Sequence, residues 1–136
     1  LCEKSTKEAE SISYSSLRDL LESIQCGCAI PVEVLLDGEE PAFTGKLYSV
    51  IRKILEEAYH NTLSHSLADR MLIEAHMTPE KLILQIKDNG KFRGTLEKGF
   101  GLTTMEENIK ASGGTVRFRA EENQGFEITA EWSETP

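Results

Sequence analysis

Residues Lys81 to Lys87 (KLILQIK) place Leu82, Leu84 and Ile86 at every second position, with Lys81, Gln85 and Lys87 among the residues between. That two-residue period belongs to a strand with one buried face and one wet face. Arg70 to His76 (RMLIEAH) precedes it, and Thr78-Pro79-Glu80 between them is turn chemistry, so the two strands predict a hairpin. A hairpin with one apolar face must find a second layer to cover it. The same pattern recurs at Thr115 to Ala120 and Phe126 to Trp132, where a second hairpin is expected.

Helical periodicity supplies the cover. Ser5 to Gln25 reads as one amphipathic helix, with Ile12, Leu17, Leu20, Leu21 and Ile24 near helical spacing and Gly27 as its stop. Pro31 to Leu36 reads as a strand closed by Asp37-Gly38. A long helix is expected from Gly45 to His65, and a short one from Leu102 to Ala111 ending at Gly113-Gly114. The order α-β-α-β-β-α-β-β predicts an α+β fold: a two-layer α/β sandwich with a mixed, mostly antiparallel sheet and helices on one face.

Composition narrows the function classes. The 136 residues carry a net charge of −8 and are 39% hydrophobic. One domain with one core is expected, and no apolar run approaches the roughly 20 residues that span a bilayer. The acidic balance argues against a surface built for nucleic acid. Cys2, Cys26 and Cys28 cannot all pair and do not form a zinc motif, so reduced thiols and a cytoplasmic setting are expected. The chain opens on Leu1 with no charged-then-apolar leader, and it is expected to be a piece of a longer protein.

The long helix carries polar residues where apolar ones belong. Projected at about 100° per residue, Leu47, Val50, Ile51, Ile54, Leu55 and Ala58 form one stripe. Asn61 falls about 55° from its centre and His65 about 15°, with Glu57 at the edge. A buried polar group without a partner costs about 1–3 kcal/mol. Either these three cap backbone near the helix end, or this face looks into a polar pocket. In the second case Asn61 offers a neutral oxygen and Glu57 a carboxylate, ligands that suit Mg²⁺.

Asp88 to Gly99 (DNGKFRGTLEKG) follows a strand, carries Gly90, Gly94 and Gly99, and leads into a helix. Backbone N–H groups at such a turn and helix start can bind an anion. Lys91, Arg93 and Lys98 add positive charge to an otherwise acidic chain. The alternative is an ordinary surface loop.

Taken together, the stretches resemble the ATP-binding catalytic domain of bacterial sensor histidine kinases, the GHKL (Bergerat-fold) ATPases, and within them the nitrate- and lipid-sensor branch. Glu57-Ala-Tyr-His-Asn61, with His65 one turn on, is similar to the family's N box. Asp88-Asn-Gly90 resembles its first glycine box and Gly99-Phe-Gly101-Leu102 its second. The resemblance spans about Leu47 to Trp132. It implies that Asp88 accepts a hydrogen bond from the adenine amino group and that Gly90 lets backbone approach the base. It further implies that Asn61 holds Mg²⁺, with Glu57 as the catalytic carboxylate beside it. His65, Gly99, Gly101 and Leu102 belong to the same nucleotide site, and Lys91 to Lys98 form the ATP lid.

Two positions depart from the family's pattern. Phe92 stands where a second glycine is usual, and Gly125-Phe126 replaces a Gly-Thr pair, so a hydroxyl common near the adenine is missing. His60, His65 and His76 do not lie in the context of a phosphoacceptor. The resemblance therefore implies a catalytic fragment that passes the γ-phosphate of ATP to a histidine on a separate dimerisation domain, for relay to a response regulator. Residues 1–25 would continue from that missing domain, and 26–136 would be the catalytic domain. The expected partners exclude nucleic acid, the fragment is expected to be a monomer of a homodimeric parent, and the domain is expected in the cytoplasm, with a parent that can carry a membrane anchor. Two other readings stay open on the same fold: a degenerate module acting through protein contacts, and a serine kinase of the anti-sigma type.

Overall fold

The computed structural model describes residues 14–65, 70–90, 102–120 and 125–134, without the side chains of Ser64, His65 and Ala120. Its elements are α1 (Leu17–Cys26), β1 (Val32–Asp37), a 3₁₀ turn (Ala42–Leu47), α2 (Tyr48–His65), β2 (Met71–Thr78), β3 (Lys81–Asp88), α3 (Leu102–Ala111), β4 (Gly114–Ala120) and β5 (Phe126–Ser133). The predicted order holds throughout.

The five strands form one sheet in the order β1-β2-β3-β5-β4. Both predicted hairpins are present as antiparallel pairs, and β5 joins them by pairing with β3. β1 lies parallel to β2, as a strand–helix–strand crossover through α2 requires. Alternation places Ile73, Ala75, Leu84, Ile86, Ile128 and Ala130 on the covered face, each at most 3% exposed. The opposite face is polar. There Lys87 pairs with Glu74 and Glu127, Lys81 pairs with Glu131, and His76 sits beside Asp37 and Glu74. Exposed ion pairs of this kind add little stability, but they keep the outer face wet.

The helices cover the apolar face. Ile51, Ile54, Leu55 and Ala58 of α2, and Leu102, Met105 and Ile109 of α3, are buried at helical spacing. Gly113, at φ +89°, ends α3, and its N–H donates to Lys110 O at 3.0 Å. An L-residue pays about 1–2 kcal/mol for that left-handed backbone, so glycine is the natural stop.

Two boundaries differ from the sequence expectation. The first helix begins at Leu17, because Ser16 is extended (φ −164°, ψ 166°) and its hydroxyl accepts the Asp19 N–H at 3.1 Å. That side chain caps the helix, so a continuous helix from Ser5 through Gln25 does not form; residues 5–13 lie outside the described region. The long helix begins at Tyr48 rather than Gly45. The six residues before it wind as a 3₁₀ turn entered from Pro41, whose carbonyl accepts the Thr44 N–H at 3.4 Å.

Leu17, Leu20 and Leu21 are fully buried in the same core as α2 and the sheet, so α1 packs on this domain. Cys28 is a free, half-buried thiol whose pKa is pushed up by burial, whereas Cys26 is disulfide-bonded. The expectation of reduced thiols therefore holds for Cys28 and not for Cys26. No helix among the described residues is long and apolar enough to cross a membrane.

Candidate nucleotide site

The site forms where the end of β3 meets α2 and the start of β5. Asp88 is the last residue of β3, in phase with the buried Leu82, Leu84 and Ile86 of the covered face. Its carboxylate is held on both sides. Oδ1 accepts the Gly90 N–H at 3.0 Å and the Phe126 N–H at 3.2 Å. Oδ2 accepts the Thr62 hydroxyl at 3.0 Å. The Gly90 bond closes an Asx-type turn immediately after the strand. The Phe126 bond extends the β3–β5 ladder one step beyond the Lys87–Glu127 pair, with a side-chain oxygen as acceptor.

Gly125 makes that approach possible. A Cβ there would lie 1.9 Å from Asp88 O and 2.9 Å from Asp88 Oδ1. Only a residue without a side chain lets β5 start this close to the end of β3. Asn89 anchors the turn from its other side: its Oδ1 accepts the Arg70 N–H at 3.0 Å, and its N–H donates to Arg70 O at 3.2 Å.

Asn61 is 4% exposed and Thr62 3%, both on α2. With Asp88 they line a small recess of about 10 Å³ walled by Ala58, Ile86, Phe126 and Ile128, room for about one water. The structure thus brings Asn61 and Asp88 to one recess. It places Glu57 elsewhere, half-buried in a cleft of about 300 Å³ between α2 and α3 that Lys53, His60, Thr104 and Asn108 also line. Gly90 is buried beside Asp88. Leu102 is 2% exposed and belongs to the core, where it anchors the first turn of α3. The His65 side chain, Gly99, Gly101 and the segment Lys91 to Lys98 lie outside the described residues. Of the other histidines, His60 is exposed and His76 sits on the outer face of the sheet.

Thr62 was not singled out from the sequence, although the signal was present. It projects about 45° from the centre of the α2 stripe, nearer than Asn61, so a hydroxyl was due on the buried face.

The side chains at the recess offer the atoms that a purine amine and a hydrated cation would bind. Asp88 offers acceptors only, and Asn61 offers one neutral oxygen. Among the described residues no three His, Cys, Asp or Glu side chains cluster to hold a metal. Mg²⁺ commonly takes one or two protein oxygens and completes its shell with water and phosphate, and the residues present fit that pattern.

No family model matches the chain, but individual proteins do. It is 30% identical over 118 residues to the sensor histidine kinase LnrJ of Bacillus subtilis, covering 87% of this chain and 30% of LnrJ. It is 30% identical over 115 residues to the sensor protein VraS of Staphylococcus saprophyticus, covering 82% of this chain and 33% of VraS. Among solved structures, the histidine kinase AdeS of Acinetobacter baumannii superposes with a TM-score of 0.69 at 18% identity, over 95% of this chain and 72% of that one. The catalytic domain of histidine kinase ThkA does so at 0.53 and 15% identity, over 77% and 81%.

The chain belongs to the sensor histidine kinase family. The likeness to AdeS and ThkA carries the fold, with its mixed sheet and one-sided helices, and the likeness to LnrJ and VraS carries the family. The chain spans about a third of the length of those two relatives.

Proposed function

We propose that this domain binds Mg-ATP and presents the γ-phosphate to a histidine on a separate dimerisation domain, from which it passes to a response regulator. The observation that carries this reading is the Asp88 carboxylate, held by Gly90, Phe126 and Thr62 and sharing a recess with buried Asn61. A carboxylate so placed accepts a hydrogen bond from the adenine amine and repels the carbonyl that guanine carries at the same position.

Asn61 would supply the protein oxygen to Mg²⁺. The ion, when bound, neutralises charge on the phosphates. Glu57 stands one turn before Asn61 on α2 and faces the cleft toward α3, where it would orient the incoming acceptor. Gly90, Gly99, Gly101, Leu102 and His65 complete the nucleotide site, with Lys91 to Lys98 as its lid. The chain's part in the reaction is positioning and electrostatics, the usual division of labour in phosphoryl transfer. Packing of α1 on the core argues that the catalytic unit includes it. The residues before Ser16 would then lead toward the dimerisation hairpin of a homodimeric parent in the cytoplasm.

Calorimetric titration with ATP and Mg²⁺ tests the reading, with Asp88→Asn and Asn61→Ala alongside. Micromolar binding that Asp88→Asn abolishes, and that Asn61→Ala renders insensitive to Mg²⁺, is the expected result. A folded wild-type domain that ignores millimolar ATP would overturn it and leave a degenerate module acting through protein contacts.

A further inference from the structure

We propose that Thr62 is a positioning residue for base recognition, acting through Asp88; the inference rests on the reading of this recess as the adenine site. A carboxylate has roughly four lone-pair directions. In Asp88, Oδ1 already receives two N–H groups, from Gly90 and Phe126, and Oδ2 receives the Thr62 hydroxyl. Among the described residues three directions are filled, and the fourth, on Oδ2, is left for a ligand's donor.

The Thr62 hydroxyl does two things at once. It fixes Oδ2 against rotation of the carboxylate, and it fills the lone pair that water would otherwise occupy beside the amine. Both reduce what a ligand must reorganise on binding. Thr62 is 3% exposed, so its bond to Asp88 is shielded and correspondingly stronger.

The geometry also accounts for a departure noted in the sequence. Where the family commonly has Gly-Thr, this chain has Gly125-Phe126, and β5 contributes a backbone N–H to Asp88 with no side-chain hydroxyl beside it. The hydroxyl comes instead from α2, on the other oxygen of the same carboxylate. In this chain Thr62 replaces what the strand lacks, and Phe126 is free to serve the core, where its ring meets Phe118 edge-on at 6.4 Å.

The test compares ATP with purine riboside triphosphate, which lacks the exocyclic amine, in wild type, Thr62→Val and Thr62→Ser. Thermal unfolding of each protein establishes that it is folded. In wild type the amine should be worth about 10- to 100-fold in affinity, as a hydrogen bond to a charged acceptor. Thr62→Val, which keeps the shape and removes the hydroxyl, should shrink that ratio to a few-fold, and Thr62→Ser should restore it. A purely structural role would weaken both nucleotides alike and leave the ratio unchanged, which would overturn the proposal, as would failure of Ser to restore it. A wild type that binds both nucleotides equally would remove Asp88 as the base reader, and one that binds neither would remove the nucleotide site itself. Either result overturns the role of Thr62, and each does so in a distinguishable way.

Discussion

Glu40 Oε1 accepts the Leu17 amide hydrogen at 2.7 Å, joining the loop after β1 to the first turn of α1. Its other oxygen accepts the hydroxyls of Thr44 and Tyr48. One carboxylate thus ties α1, the 3₁₀ turn and the start of α2 together. Its charge also suits the positive end of the α1 dipole. Glu40→Ala removes the acceptor of three donors and should lower the unfolding free energy by about 1–3 kcal/mol. A urea melt reads this as a lower midpoint at constant slope, and an unchanged midpoint would show that the three donors find water instead.

The same junction predicts a pH dependence. Burial first, and then the hydrogen bond to Glu40, push the Tyr48 hydroxyl up to about 12. A tyrosine whose pKa is raised on folding contributes stability that is fully present below its unfolded value near 10. That contribution is lost as pH rises through the folded value. Wild type should therefore lose stability relative to Tyr48→Phe between about pH 10 and 12, and ultraviolet titration should show one tyrosine ionising late. Parallel pH–stability curves for the two proteins would contradict this.

Leu20 tests whether α1 belongs to the catalytic unit. It is fully buried with Leu17 and Leu21 against α2 and the sheet. Leu20→Ala should cost about 2–5 kcal/mol by lost transfer energy and a residual cavity. Denaturation of the isolated domain measures it. A cost well under 1 kcal/mol would mean that α1 is an appendage whose packing contributes little.

Much of this was legible beforehand because its causes are local. The alternation of Lys81 to Lys87 and the stripe from Leu47 to Ala58 each report a period that one element imposes by itself. Asn61 stood out for the same reason, as a polar residue breaking a stripe. The start of α1 was missed because Ser11, Ser13, Ser15 and Ser16 look alike in sequence, and only the extended backbone at Ser16 selects it as the cap. Thr62 was overlooked although its angle was available; its importance depends on Asp88, 26 positions away. The separation of Glu57 from Asn61 into two clefts depends on where α3 packs, which no spacing along α2 encodes.

Gly125 combines both kinds of information, and it yields the sharpest prediction. Nothing in its neighbourhood along the chain demands a glycine; the demand comes from Asp88, across the sheet. A Cβ at 125 meets Asp88 backbone at 1.9 Å and 2.9 Å, and backbone cannot swing aside as a flexible side chain can. Gly125→Ala must therefore push the start of β5 away from the end of β3. The first bond lost is from the Phe126 N–H to Asp88 Oδ1, while the ladder from Lys87–Glu127 onward can persist. ATP affinity should fall at least about tenfold, the equivalent of one charge-assisted hydrogen bond, with the domain still folded. Gly113→Ala is the control: φ there is +89°, but no atom lies within 4 Å of the added Cβ. It should cost about 1–2 kcal/mol of stability through backbone strain and leave ATP affinity as in wild type. Calorimetry and denaturation on the two variants separate the effects. Equal losses of affinity in both would mean that general destabilisation, not the Asp88 contact, governs binding.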